Sequence, residues 1–101
     1  MTTPNPSIDK AESRRIGVQI RHILLQSWDP IGIRDEPNAQ DEYDGYIGKL
    51  YELLVRGAAY SEVVEYLYWA EHDQMGLNAA QRSAMAATAE ELKKIRLSTA
   101  Q

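Results

Sequence analysis

The sequence predicts an all-α fold: a single compact bundle of about four helices, with a long acidic loop after the first. Three observations predict it. Apolar residues recur at steps of three and four in several windows. No window alternates apolar and polar residues as a half-buried strand does. Pro30, Gly57 and Gly76 stand where the periodic windows end. At 101 residues the chain fits one domain. The apolar share of 44% suits a packed core and is too high for a disordered segment.

Residues 1–7 hold two Pro, one Asn, one Ser and two Thr and read as a flexible tail, leaving 8–101 as the helical domain. Asp9 followed by Glu12 has capping-box spacing, with Ser7 as the alternative cap. A first helix is expected to run to about Trp28 on the stripe Ile16, Ile20, Ile23 and Leu24. Val18 and Leu25 lie to one side of that stripe, and Arg14, Arg15 and Arg21 are expected to face water. Pro30 stops the helix, because the residue before a proline is pushed out of the helical region. The segment from Asp29 to Asn38 reads as a loop, with Ile31 and Ile33 folding back on the core.

The second helix is expected on the face Tyr43, Tyr46, Ile47, Leu50, Tyr51 and Leu54, capped by Asn38 or Asp41 and closed by Gly57. Ser61 is the expected cap of a third helix whose buried side is Val63, Val64, Leu67 and Ala70. Met75-Gly76-Leu77 has the pattern of a glycine-terminated helix. Asn78 with Gln81 repeats the cap spacing for a fourth helix carrying Met85, Ala89, Leu92 and Ile95. Its six alanines between Ala79 and Ala89 suit close approach by a neighbour. Short turns should make the second, third and fourth helices mutual neighbours.

The composition excludes several classes. With no Cys there are no disulfides and no Cys-based zinc sites. The net charge of −4 argues against nucleic acid, which usually selects a basic stripe. The start Met1-Thr2-Thr3-Pro4 lacks the basic-then-apolar pattern of a secretory leader. No apolar run approaches the ~20 residues that span a bilayer. No membrane association and a cytoplasmic location are the simplest expectations.

Catalytic patterns are missing: no Gly-x-Ser-x-Gly elbow and no Gly-rich phosphate loop. Neighbouring acids such as Glu62 and Glu65, or Glu90 and Glu91, suit exposed helix faces. In Glu71-His72-Asp73, consecutive helical residues point in different directions and cannot converge on one ion. No metal and no cofactor are expected. Residues 35–44 also lack the alternating ligands and twelfth-position Glu of a calcium loop.

Charge is unevenly spread. Residues 29–44 carry six carboxylates against Arg34 alone. Clustered carboxylates steer a cationic partner and raise its association rate. Tyr43 and Tyr46 lie among them, and Tyr is a common interface anchor. The expected partner-binding set is therefore Asp35, Glu36, Asp41, Glu42, Tyr43, Asp44 and Tyr46, receiving a basic protein. The turn before it is structured by Trp28 as anchor and Asp29 as acceptor of loop N–H groups. Pro30 fixes the chain direction there, and Gly32 takes a conformation closed to other residues.

Trp28-Asp29-Pro30-Ile31-Gly32, followed by Glu42-Tyr43-Asp44-Gly45-Tyr46 and later by Met75-Gly76-Leu77, resembles the YugE-like domain of unknown function, a group of small bacterial helical proteins. The resemblance spans roughly residues 16–77. It implies an all-helical fold and supplies no activity.

The functional expectation is a non-enzymatic interaction module, for example an inhibitor or immunity-type protein that blocks a basic partner. One alternative is a homo-oligomeric structural module using the Ala-rich fourth helix or the aromatics Tyr60, Tyr66, Tyr68 and Trp69 of the third. Another is a small-ligand or metal-dependent enzyme built around Asp29, Glu42, Asp44 and His72.

Overall fold

A computed structural model describes residues 10–77 and 82–95. Among them are four α-helices and no strand. Helix α1 spans Lys10–Ile23 and continues as a wider π-helical turn, Leu24–Trp28. A connector then leads through short 3-10 turns at Pro37–Ala39 and Asp44–Tyr46 into α2, Ile47–Arg56. Helix α3 spans Tyr60–Trp69 and also ends in a π turn, Ala70–Gln74. A 3-10 turn, Arg82–Met85, opens α4, Ala86–Lys93.

The core forms where four apolar stripes meet. Ile16, Ile20 and Leu24 come from α1, Leu50 and Leu53 from α2, Val63, Val64 and Leu67 from α3, and Met85, Ala89 and Leu92 from α4. Removing such side chains from water contributes about 1.5–3 kcal/mol each. Leu25 belongs to the core as well, since the π turn shifts the buried face and carries it inward beside Leu24. Val18 stays outside at 60% exposure. Ile33 packs on the core, whereas Ile31 remains exposed.

The helix ends explain the turns. Gly57 takes φ +71, its N–H reaches Leu54 O at 3.1 Å, and the Ala58 N–H reaches Leu53 O at 2.9 Å, so α2 closes in a Schellman motif. Gly76 takes φ +67 and the Leu77 N–H donates to Glu71 O at 3.1 Å. The Asp9 cap, the Asn78–Gln81 cap, the flexible tail and the first alanines of the Ala-rich segment lie outside the described residues.

Four further expectations change. The second helix begins at Ile47 instead of Tyr43, because the Tyr43 hydroxyl is fixed within the connector and the chain advances by a 3-10 turn first. Neither Asn38 nor Asp41 caps it, since both lie upstream of that turn. Ser61 does not cap α3 either. The helix starts one residue before it, and Ala59 holds the cap position without a side-chain bond. Finally, α2 packs chiefly on α1, and α3 on α4, in place of a mutual trio. Gly17 faces α2 at this contact: a Cβ there would lie 3.6 Å from Ile47 Cγ2, an ordinary van der Waals distance. At the opposite end, Tyr60 donates to Ala86 O at 2.9 Å and Lys93 Nζ donates to Ala58 O, tying α4 to the α2–α3 turn.

Candidate functional site

The connector from Asp29 to Tyr46 has two halves with different physics. Its first half is built around one carboxylate. Asp29 closes the π turn with φ 34, a left-handed conformation that Asp tolerates better than most residues, and its N–H donates to Leu24 O at 2.8 Å. Its side chain is 4% exposed. Oδ1 accepts the Ile33 N–H at 2.7 Å and the Tyr43 hydroxyl at 3.0 Å. Oδ2 accepts the Arg34 N–H at 3.1 Å and Arg34 Nε at 3.2 Å. Gly32, at φ +69, supplies the reversal that brings those two N–H groups back to the carboxylate.

Burial alone would raise the Asp29 pKa. The bonds from Ile33 N–H, Tyr43 and Arg34 outweigh it and hold the carboxyl below its ordinary 3.8. The effect on Tyr43 is opposite. Burial is the largest cause there, opposed by the Ile31 N–H and reinforced by the Asp29 carboxylate, and it drives the phenol well above its ordinary 10. Tyr43 therefore stays protonated, donating to Asp29 while accepting the Ile31 N–H at 3.1 Å.

Trp28 joins this knot to the third helix. Its ring centroid lies 5.4 Å from that of Tyr43 and 5.9 Å from that of Tyr46, the latter edge-on. Its Nε1–H donates to Glu71 Oε1 at 3.1 Å, and Glu71 is buried. The two π turns thus face one another across this bond. The aromatic contacts continue from Tyr46 to Tyr66 at 6.4 Å and on to Trp69, stacked on Tyr66 at 5.5 Å. Trp69 is 41% exposed.

The second half of the connector is acidic. Asp35, Glu36, Asp41 and Glu42 are all exposed, and none forms an ion pair with a described residue. Gln40 Nε2 donates to Arg34 O at 3.1 Å and to Glu36 O at 2.8 Å, bracing the backbone between them.

The partner-binding set expected from sequence is divided by these contacts. Tyr43 is 1% exposed and unavailable to a partner, because its hydroxyl and ring are both engaged within the knot. Asp44 pairs with Arg21 of α1 through two bonds, and Arg21 is not the freely solvated cation expected from its place in α1. The hydrogen bond to Asp44 is the main reason the Arg21 pKa is raised, with Asp41 adding a smaller attraction. Both partners are about two-fifths exposed, so the pair contributes only about 0–1 kcal/mol. Tyr46 is half-buried between Trp28 and Tyr66.

Three contributors were not anticipated: Arg21, Arg34 and Glu71. Glu71 had a signal. It lies four residues beyond Leu67 and seven beyond Val64, so it falls in the buried stripe, and a packed Trp28 needs an acceptor for its N–H. Arg21 had none, because its partner is 23 residues away.

Three of the four residues of the enzyme alternative are engaged separately, and Glu42 is exposed. Asp29 is in the knot, Asp44 is on Arg21, and His72 stacks on Tyr68 with Nδ1 2.7 Å from Asp73 Oδ1. Among the described residues no three metal-ligating side chains gather. No described helix is long and apolar enough to cross a membrane.

No protein-family model, curated protein or solved structure matches the chain. The YugE-like resemblance thus rests on the quoted motifs alone and brings no activity with it.

Proposed function

We propose that this protein is a non-enzymatic interaction module that docks a basic protein partner on Asp35, Glu36, Asp41 and Glu42. The observation that carries the reading is the contrast within one connector: the Asp29 knot orders its start, and the four carboxylates after it face water without ion pairs among the described residues. A braced loop loses less conformational freedom on binding than a flexible one. Clustered like charges accelerate encounter with an opposite surface. Ile31, exposed at the start of the connector, offers an apolar contact in place of the buried Tyr43. An inhibitor or immunity-type protein that covers a cationic surface is the concrete form of this reading.

The test is the association rate of a partner co-purified from the native cell, followed across a salt series. Neutralising the set as Asp35→Asn, Glu36→Gln, Asp41→Asn and Glu42→Gln is expected to slow association about tenfold and to flatten its salt dependence. An unchanged rate with the same salt slope overturns the reading.

A further inference from the structure

The outward face of α1 is the one strongly cationic helix face among the described residues. Val18, the most exposed of the described large apolar residues, stands at its centre. Helical spacing places Arg14 one turn before Val18 and His22 one turn after it, with Ala11 and Arg15 alongside, and all four are exposed. The only carboxylate of α1, Glu12, is buried and bonded to Arg15, so no exposed acid interrupts this face. Lys10 and Arg14 continue along one flank to Arg21, where the helix meets Asp44 and feels Asp41. The connector thus meets α1 at its C-terminal end, through Arg21, while Lys10 and Arg14 lie toward its N-terminal end. In a two-fold dimer every contact occurs twice, so Lys10 and Arg14 of each copy would meet the connector carboxylates of the other.

We propose that the outward face of α1, centred on Val18 with Lys10 and Arg14 beside it, binds the exposed carboxylates of the connector in a second copy of this chain. The inference rests on the docking reading above and names the cationic surface that meets the carboxylates. Charge complementarity selects the occupant, and Val18 supplies apolar contact that an all-polar encounter lacks. The attraction acts between solvent-exposed charges, so the association weakens as salt rises.

Sedimentation equilibrium of the full chain over a concentration series, at low and high salt, tests this. The apparent mass is expected to rise toward twice that of the monomer at low salt and to fall back at high salt. Two charge-swapped proteins sharpen the test: one carries Lys10→Glu with Arg14→Glu, the other Asp35→Lys with Glu36→Lys. Circular dichroism establishes that each folds. Each alone is expected to be monomeric where the parent is dimeric, and an equal mixture is expected to recover the dimer, since the one reversed contact and the one unaltered contact both attract. A parent that is monomeric under every condition overturns the inference and leaves the connector free for a foreign partner. A dimer lost only in the Asp35→Lys, Glu36→Lys protein overturns the role of α1 while keeping that of the connector. A dimer that survives both swaps overturns both.

Discussion

Asp29 and Asp35 stand six residues apart in one connector and do opposite work. Asp29 is enclosed and accepts four hydrogen bonds, two from backbone N–H groups, one from Tyr43 and one from Arg34. Asp35 is exposed and forms no ion pair with a described residue. The first carboxylate is structural and the second is available. What separates them is the geometry around each. Asp29 ends a π turn in a left-handed conformation and so points back at the N–H groups of the loop it opens. Asp35 follows Ile33 and Arg34, whose N–H groups Asp29 binds, and stays exposed.

The largest expected effect falls on the enclosed half. Asp29→Ala removes the shared acceptor and places a residue with a Cβ, but no compensating hydrogen bond, at positive φ. Chemical denaturation should show a loss of about 2–4 kcal/mol. Asp29→Asn, which tolerates the same backbone and keeps one acceptor oxygen, should lose about half as much. A loss under 0.5 kcal/mol for Asp29→Ala would make the two aspartates equivalent and break the comparison.

Tyr43→Phe and Trp28→Phe come next. The first removes the hydroxyl that bridges Asp29 and the Ile31 N–H, the second the donor to Glu71. Each should cost about 1–2 kcal/mol, read from the same denaturation midpoints. In the Tyr43→Phe protein the Ile31 amide should also exchange faster with solvent.

Acid separates the halves more finely. Because the folded Asp29 pKa lies below its ordinary 3.8, its contribution is present above that value and is lost as pH falls through the folded pKa. Stability measured below about pH 4 should therefore decline less steeply for Asp29→Asn than for the parent. Identical slopes would remove Asp29 from the acid response.

The smallest effect belongs to the exposed half. Neutralising Asp35, Glu36, Asp41 and Glu42 together should change stability by no more than about 0.5 kcal/mol, since surface substitutions away from packed features usually do no more. A large loss there would mean that these carboxylates hold the fold and are not free for a partner.

The same contrast explains what was legible in the sequence. The stripes Ile16-Ile20-Leu24, Val63-Val64-Leu67 and Met85-Ala89-Leu92 were readable because helical spacing is local, and they do form the core. Gly57 and Gly76 were readable as stops because few residues accept positive φ. Leu25 was misplaced because periodicity assumes an α-helical turn, and the wider π turn moves it inward. Tyr43 was misplaced for a related reason. It continues the apolar repeat of α2, yet a hydroxyl bond to a carboxylate 14 residues earlier takes it into the connector. The acidic character of the connector was plain from composition. Which acids are enclosed, paired to Arg21 or free depends on contacts between distant segments, and those have no sequence period.

Amide hydrogen exchange across the connector tests the central claim most directly. The account predicts that the Ile31, Ile33 and Arg34 amides exchange slowly, at rates nearer those of helical amides, while Asp35 exchanges at close to open-chain rates. Fast exchange at all four would contradict it, because the acidic stretch would then hang from an unstructured loop and not from a fixed knot.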